Sequence, residues 1–158
     1  MGATKMIKLN VVAVGKLKEK FWADAIKEYQ KRISKYADLT VIECPEGVDE
    51  GNAERLQKQE EAGILKKLKG YVVLLAIEGD MIKSEDLADL IERESTRGQS
   101  EFTFVIGGSR GVSAEIKKRA NKLISFGRVT YPHQLMRVIL SEQLYRATTI
   151  IHKTSYHK

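Results

Sequence analysis

Three glycine-bearing segments each follow a run of apolar residues, and they are the first candidates for a ligand site. They are Glu78 with Gly79, the GGSRG segment at 107–111, and Gly127 with Arg128. Glycine lets backbone amides and carbonyls approach a ligand closely and permits positive φ angles. For any one segment a tight turn is a sufficient explanation, but three together favour a pocket built from backbone groups.

The side chains that define most catalytic centres occur here in no familiar pattern. His133, His152 and His157 have no acidic or cysteine companions at the spacing of metal ligands. The 107–111 segment matches neither a Walker-type phosphate loop nor the dinucleotide-binding fingerprint. No serine sits in a nucleophile elbow, and Cys44, beside a proline, has nothing basic nearby to activate it. A pocket without a nucleophile or metal suits a reaction whose cofactor is already activated, because the protein then needs only to position it.

These segments must be positioned by a chain in which strand-like and helix-like runs alternate. Five strands alternating with helices predict an α/β domain, with a mainly parallel sheet and helices on both faces. In such sheets ligands bind beyond the carboxyl ends of the strands, where the three segments lie. The expected strands are 7–14, 39–43, 72–77, 102–106 and 123–126, and the expected helices are about 20–36, 53–68, 84–95, two turns after Ser113, and His133 to Ile151.

The last predicted helix is apolar around most of its circumference. A helix on one face of a sheet needs only one apolar stripe, so the surplus predicts a further partner. An identical subunit is the simplest candidate, and we expect a homodimer. Glu142 and Arg146 lie four residues apart, which an ordinary helical ion pair explains. The polar tail at 152–158 also has a simple interpretation without function, because such tails are usually frayed.

Length and composition set the class of protein. The chain has 158 residues, enough for one domain with a sizeable core. Cys44 is the single cysteine and cannot form an internal disulfide. No apolar run approaches the ~20 residues needed to span a bilayer, and residues 1–5 lack the apolar core of a secretion signal. We therefore expect a cytoplasmic protein that enters no membrane and holds no metal.

The chain is also basic, with a formal net charge of +6 and a pI of 9.3. A basic surface attracts nucleic acids, membrane surfaces or acidic partners, so charge alone does not choose among them. For the second of three basic groups we favour a solvated helix face. The groups are Lys16, Lys18 and Lys20; Lys66, Lys67 and Lys69; and Lys117, Lys118, Arg119 and Lys122.

Seven short stretches, in order along most of the chain, match a known family. They are Val12–Lys16, Phe104–Gly108, Phe126–Tyr131, Pro132–His133, Met136–Val138, Glu142–Ala147 and Tyr156–Lys158. On these stretches the chain resembles the ribosomal RNA large subunit methyltransferase H family, within the knotted SPOUT methyltransferase superfamily. That family normally begins near Met6. Residues 1–5 are therefore expected to be an N-terminal extension and residues 6–158 a single SPOUT-like methyltransferase domain.

The resemblance implies an α/β fold with a C-terminal trefoil knot, a homodimer, and S-adenosylmethionine as cofactor. The implied reaction belongs to rRNA processing: methylation of N3 of a pseudouridine in large-subunit (23S) ribosomal RNA, within the assembled ribosome. The implied cofactor loops largely coincide with the glycine-bearing segments. They are Leu75, Ala76, Ile77, Glu78 and Gly79; Gly107 and Gly108; and Phe126, Gly127, Arg128, Val129, Thr130 and Tyr131.

The catalytic candidates are His157, Tyr156 and Arg146. The N3 proton must leave, and a base with a pKa near 7 makes histidine the natural choice. His157 is the first candidate, since the family tail ends in the same way and the resemblance implies a composite site that takes it from the other subunit. His133 is the second. Tyr156 could stack on the target base, and Arg137 and Arg146 could hold a phosphate or the base carbonyl.

Two rival interpretations remain. A non-enzymatic RNA-binding or ribosome-associated module would explain the charge and the fold, but not a glycine-lined pocket. A phosphate-ester enzyme or nucleotide hydrolase is disfavoured, because the sequence has neither a phosphate loop nor a metal signature.

Overall fold

The computed structural model describes residues 6–48, 51–107 and 111–158. Within them strands and helices alternate as the sequence predicts. The elements are β1 (Ile7–Val14), α1 (Lys20–Ile33), β2 (Ala37–Cys44), α2 (Ala53–Leu65), β3 (Tyr71–Met81), α3 (Ser84–Thr96), β4 (Glu101–Ile106), α4 (Ala114–Arg119), β5 (Lys122–Ser125) and α5 (His133–Ile151).

The five strands form one sheet in the order β2-β1-β4-β3-β5. Every neighbouring pair is parallel. All the carboxyl ends therefore meet at one edge, and the segments that follow β1, β3, β4 and β5 share it.

Strand β1 shows how the two sides of the sheet are covered. Leu9, Val11 and Ala13 belong to a core that includes buried residues of α1, α3 and α5. Val12 and Val14, which point to the other side, belong to a second core with residues of α2 and α4. This arrangement confirms the predicted α/β fold with helices on both faces.

Strand β3 differs from its prediction. The run 72–77 was expected to end in a turn at Glu78 and Gly79, but β3 continues to Met81. Leu75 and Asp80 are both in register with Ile124 of β5. Residues 76–79 are therefore an irregular insertion in β3 rather than a turn after it. The reason is non-local, because pairing with β5 resumes beyond residues that locally favour a turn.

Helix α5 packs against α1 and α3 as well as the sheet. Its fully buried side includes Leu140, Leu144 and Ala147. Packing against α1 and α3 therefore accounts for part of the apolar surface by which this helix exceeds a single apolar stripe. On the opposite side Leu135, Val138 and Ile139 stay partly exposed.

Arg137 is the one arginine of α5 that is almost completely buried, with 1% exposure. Its Nη1 donates to Glu43 Oε2 at 2.8 Å, and its Nη2 donates to the carbonyls of Val14 and Gly15, each at 2.8 Å. The guanidinium thus joins α5 to the ends of β1 and β2. A direct contact between Arg137 and RNA, considered from the sequence, is wrong because this side chain is enclosed by protein groups.

No helix in the described ranges is both long and apolar enough to cross a bilayer.

Candidate active site at the carboxyl edge of the sheet

A cavity of about 720 Å³ opens at the carboxyl ends of β3, β4 and β5. This volume lies within the range of about 300–1,000 Å³ that is usual for small-molecule sites. Its walls come from the insertion in β3, described residues that follow β4, the turn after β5 and the first turn of α5, with one residue each from α2 and α4. The lining residues are Gln57, Leu75, Ala76, Ile77, Glu78, Ile106, Gly107, Gly111, Val112, Lys117, Ile124, Ser125, Phe126, Gly127, Val129, Thr130, Tyr131, His133 and Met136.

Most residues predicted for cofactor binding line this cavity. Gly79 and Arg128 are not among the lining residues, and Gly108 lies outside the described residues. The predicted residues that do line it are Leu75, Ala76, Ile77, Glu78, Gly107, Phe126, Gly127, Val129, Thr130 and Tyr131.

Gly79 shapes the cavity without lining it. A Cβ at this position would lie 2.7 Å from the backbone nitrogen of Ile124 and 2.8 Å from the carbonyl carbon of Leu123. Any side chain would therefore push the β3 insertion away from β5. Only glycine lets the two backbones pass this closely.

Gly127 is required for a different reason, since its φ angle is +115°. Its amide donates to Ser125 Oγ at 3.1 Å, and the same hydroxyl donates to the Gly127 carbonyl at 2.9 Å. This closed turn directs the following residues, 129–131, along the cavity wall.

The cavity has charged groups at one place and apolar walls elsewhere. Lys117 Nζ lies 2.8 Å from Glu78 Oε1, and both residues line the cavity. The hydrogen bond from Lys117 holds the pKa of Glu78 below its usual range. Ile77 and Val129 are 58% and 66% exposed, although both are apolar. A ligand with a flat apolar part would cover them.

Several lining residues were not predicted. Lys117 had been noticed only as part of a basic group, and Ile106 only as the end of a strand. Gln57 and Met136 come from two different helices, and nothing in their local sequence marks them for a ligand site. His133 had been considered as a base; its Nδ1 lies 3.3 Å from the Gly107 carbonyl oxygen. Among the described residues no three His, Cys, Asp or Glu side chains group as metal ligands would.

The three predicted catalytic residues come together on the outer side of α5. Arg146 is held by Glu142, with Nη2 to Oε2 at 2.7 Å and Nε to Oε1 at 3.2 Å. The Tyr156 hydroxyl donates to Glu142 Oε2 at 3.0 Å, and the Arg146 guanidinium carbon lies 4.8 Å from the centre of the Tyr156 ring. The tail is therefore docked on α5 at these residues, which does not fit the simple alternative of a frayed end.

His157 is held between two charged groups. Its Nδ1 lies 3.1 Å from Arg146 Nη1, and its Nε2 lies 2.5 Å from Glu85 Oε1. A guanidinium can only donate, so Nδ1 must accept and the ring proton must sit on Nε2. The hydrogen bond from His157 holds the pKa of Glu85 below its usual range. In this arrangement the only lone pair of the ring, on Nδ1, accepts from Arg146, so action as a base requires Arg146 to release that nitrogen.

The tail cluster and the cavity are separate within one chain. Met136 lines the cavity, whereas Arg146 lies ten residues further along α5. At 1.5 Å per residue this corresponds to about 15 Å. The predicted site residues thus form two groups. The cofactor-binding group lines the cavity beside the first turn of α5, and the catalytic group lies further along the same helix.

The docked tail predicts an unusual titration for Tyr156. Partial burial, and then the hydrogen bond to Glu142, raise its pKa above the ordinary value of 10.0. The fold favours the neutral phenol, so the stabilisation is complete below pH 10 and is lost as the pH rises through the raised pKa. The titration of Tyr156 is the difference in tyrosinate absorbance between the unsubstituted protein and Tyr156→Phe. We expect the midpoint of this difference to lie above pH 10 and to be lower when Glu142→Gln is introduced. An ordinary midpoint in the unsubstituted protein would contradict the docking of the tail.

Comparison with known proteins agrees with this fold. The model of a protein family described as "Predicted SPOUT methyltransferase" matches residues 7–157. The chain therefore belongs to the SPOUT methyltransferase family, whose members generally use S-adenosylmethionine.

Two solved structures share the fold at low sequence identity. A probable methylase family protein from Haemophilus influenzae Rd KW20 is 12% identical, with a TM-score of 0.54, over 95% of this chain and 70% of that one. A probable methyltransferase from Bordetella pertussis Tohama I is 9% identical, with a TM-score of 0.56, over 90% of this chain and 95% of that one.

Proposed function

We propose that this protein transfers a methyl group from S-adenosylmethionine to RNA, at N3 of a pseudouridine in large-subunit ribosomal RNA on the assembled ribosome. The observation that carries the proposal is the cavity itself, lined by the β3 insertion, by Gly107 and Gly111 after β4, and by the turn after β5. In a SPOUT methyltransferase, a cavity of backbone groups at the end of the sheet is the natural place for the methyl donor.

The lining residues suit S-adenosylmethionine. The apolar side chains of Ile77 and Val129 would cover the adenine ring. The Glu78 carboxylate would accept from the amino group or the ribose hydroxyls, and the Lys117 ammonium would donate to the carboxylate. The turn at Gly127 offers backbone groups without a side chain in the way. When bound, the cofactor supplies a methyl group on a positively charged sulfur, so the residues of this chain have only to position it and to manage one proton.

The choice of pseudouridine N3 rests on the resemblance to the large-subunit methyltransferase H family. Its support in this chain is the stretch Phe126–Tyr131, the stretch Glu142–Ala147 and the terminal Tyr156–Lys158. The trefoil knot of that family, and a cytoplasmic location among ribosomes, are parts of the same proposal.

A homodimer would bring the two groups of site residues together. The partly exposed Leu135, Val138 and Ile139 form an apolar strip on the outer side of α5, suited to a twofold contact. Suppose that two antiparallel α5 helices cross at a point between Val138 and Ile139. A residue that lies a given number of positions before this point in one subunit is then beside the residue that lies the same number of positions after it in the other. Arg146 of the partner subunit would then lie beside Tyr131, which lines the cavity.

In such a dimer the docked tail of one subunit would close the cavity of the other. Arg146 would hold a phosphate or the base carbonyl, and Tyr156 would stack on the base. His157 would take the N3 proton on Nδ1 once Arg146 releases that nitrogen, and His133 is the alternative base on the cavity side. Glu142 would hold Arg146 and Tyr156 in place, because it accepts hydrogen bonds from both.

The proposal is tested by mass spectrometry of ribosomal RNA from a strain that lacks this gene. We expect one pseudouridine of the large-subunit RNA to lose a methyl group, and purified protein with S-adenosylmethionine to restore it on isolated ribosomes. Unchanged RNA would refute the assigned reaction. Restoration of a methyl group on a different nucleotide would support the methyltransferase activity but refute pseudouridine as its target.

A further inference from the structure

The connection between β1 and α1, together with the first residues of α1, carries an unexplained combination of side chains. Lys16, Lys18 and Lys20 are all exposed, and Phe21 follows with 60% exposure. The Phe21 ring packs on Trp22, with 4.6 Å between ring centres. We refer to residues 16–22 as the basic loop.

The basic loop is held firmly by side chains from other elements. The Leu17 amide donates to Glu43 Oε2 at 3.0 Å, and the Lys18 amide donates to Gln134 Oε1 at 3.1 Å. The buried Arg137 holds the same Glu43 oxygen and the carbonyl before the loop. Burial of a guanidinium costs free energy of desolvation. Because Arg137 is buried while it fixes the start of the basic loop, we infer that the position of this loop is important for function.

The basic loop lies at the cavity edge of the sheet. It follows β1, and the neighbouring strand β4 ends at Ile106, which lines the cavity. Gln134, the partner of the Lys18 amide, is next to His133, another lining residue. A macromolecule that presents one group to the cavity would therefore pass close to this loop.

Two charges of the loop are free for a ligand. Lys20 Nζ pairs with Asp24 Oδ2 at 2.8 Å. Within the described parts of the chain, the ammonium groups of Lys16 and Lys18 form no ion pair. Free lysines beside an exposed aromatic ring match the chemistry of single-stranded nucleic acid, in which phosphates alternate with bases that stack.

We propose that Lys16, Lys18 and Phe21 bind single-stranded nucleotides that flank the methylated base, with the lysines on phosphates and the Phe21 ring on a base. This inference rests on the proposed function, since it assigns the surface that receives the RNA substrate. A second copy of the chain seated on this loop is a poorer occupant, because a twofold contact centred on the loop would bring like-charged lysines together.

The test measures binding of a fluorescent single-stranded RNA of about 12 nucleotides by anisotropy, without a methyl donor. Lys16→Ala/Lys18→Ala is compared with Lys66→Ala/Lys67→Ala, which removes the same charge from two exposed lysines after α2. We expect at least about tenfold weaker binding for the first pair only. For Lys16→Ala/Lys18→Ala, the slope of the logarithm of the binding constant against the logarithm of the salt concentration should also be smaller by about 1.4, or about 0.7 for each lost phosphate contact.

Phe21→Leu should weaken binding about tenfold, and Phe21→Tyr should retain it, because only the second keeps a stacking ring. Equal effects of the two lysine pairs, or normal binding by Phe21→Leu, would overturn the inference. Loss of a dimer in Phe21→Leu, seen by sedimentation, would also overturn it by showing a protein contact at this ring.

Failure of this inference differs from failure of the proposed function. If ribosomes are methylated and Lys16→Ala/Lys18→Ala has the KM of the control pair, only the basic loop is misassigned. If no ribosomal RNA is methylated but the loop variants alone lose RNA binding, only the reaction is misassigned.

Discussion

Removal of residues 156–158 is expected to slow methyl transfer to ribosomes by at least about 100-fold, the usual lower contribution of a general base. Binding of S-adenosylmethionine should be unchanged, because none of the residues that line the cavity belongs to the tail. Single-turnover rates and calorimetric titration measure the two quantities separately.

Removal of Lys158 alone is the matched control for this truncation. It leaves the contacts of Tyr156 with Glu142 and of His157 with Glu85 intact, so the methylation rate should stay normal. Unchanged methylation without residues 156–158 would remove the tail from the mechanism. Lost cofactor binding would show that the tail serves the cavity directly.

Replacement of Gly79 by alanine should be the most damaging small substitution near the cavity. The new Cβ would lie within 2.8 Å of backbone atoms of Leu123 and Ile124, which cannot move without separating β3 from β5. We expect the free energy of unfolding to fall by about 3 kcal/mol, the upper part of the range for overpacking. The Kd for S-adenosylmethionine should rise at least tenfold, because the neighbouring residues 76–78 line the cavity.

Gly63→Ala is the control, since the closest atom to its new Cβ would be Cys44 Cβ at 3.7 Å. In helix α2 this change should be neutral or stabilise the protein by up to about 1 kcal/mol. Chemical denaturation of both variants provides the comparison. A Gly79→Ala protein as stable as Gly63→Ala would contradict the close approach of the β3 insertion to β5.

The parts of the fold that depend on local sequence were predictable. Half of the residues of strand β1 are β-branched and the strand ends just before Gly15, while α5 begins directly after Pro132, so the limits of both elements agree with prediction. The turn at Gly127 was found because a turn at a strand end requires glycine for a local reason, here a positive φ angle.

Features that depend on distant pairing were not predictable. The insertion at 76–79 exists because Ile124 is in register with two positions of β3. The burial of Arg137 depends on Glu43, which comes from another strand, and a charged residue on a helix ordinarily indicates the surface. The docking of His157 depends on Glu85, 72 positions earlier in the chain. Gln57 reaches the cavity only through the packing of α2.

The central claim is that the cavity at the carboxyl edge binds S-adenosylmethionine, and calorimetric titration of the purified protein tests it most directly. Val129 and Val48 are 66% and 63% exposed, but only Val129 lines the cavity. We predict saturable binding at one site per chain, at least tenfold weaker in Val129→Trp and unchanged in Val48→Trp. Absence of saturable heat, or equal affinity in the two variants, would contradict the claim.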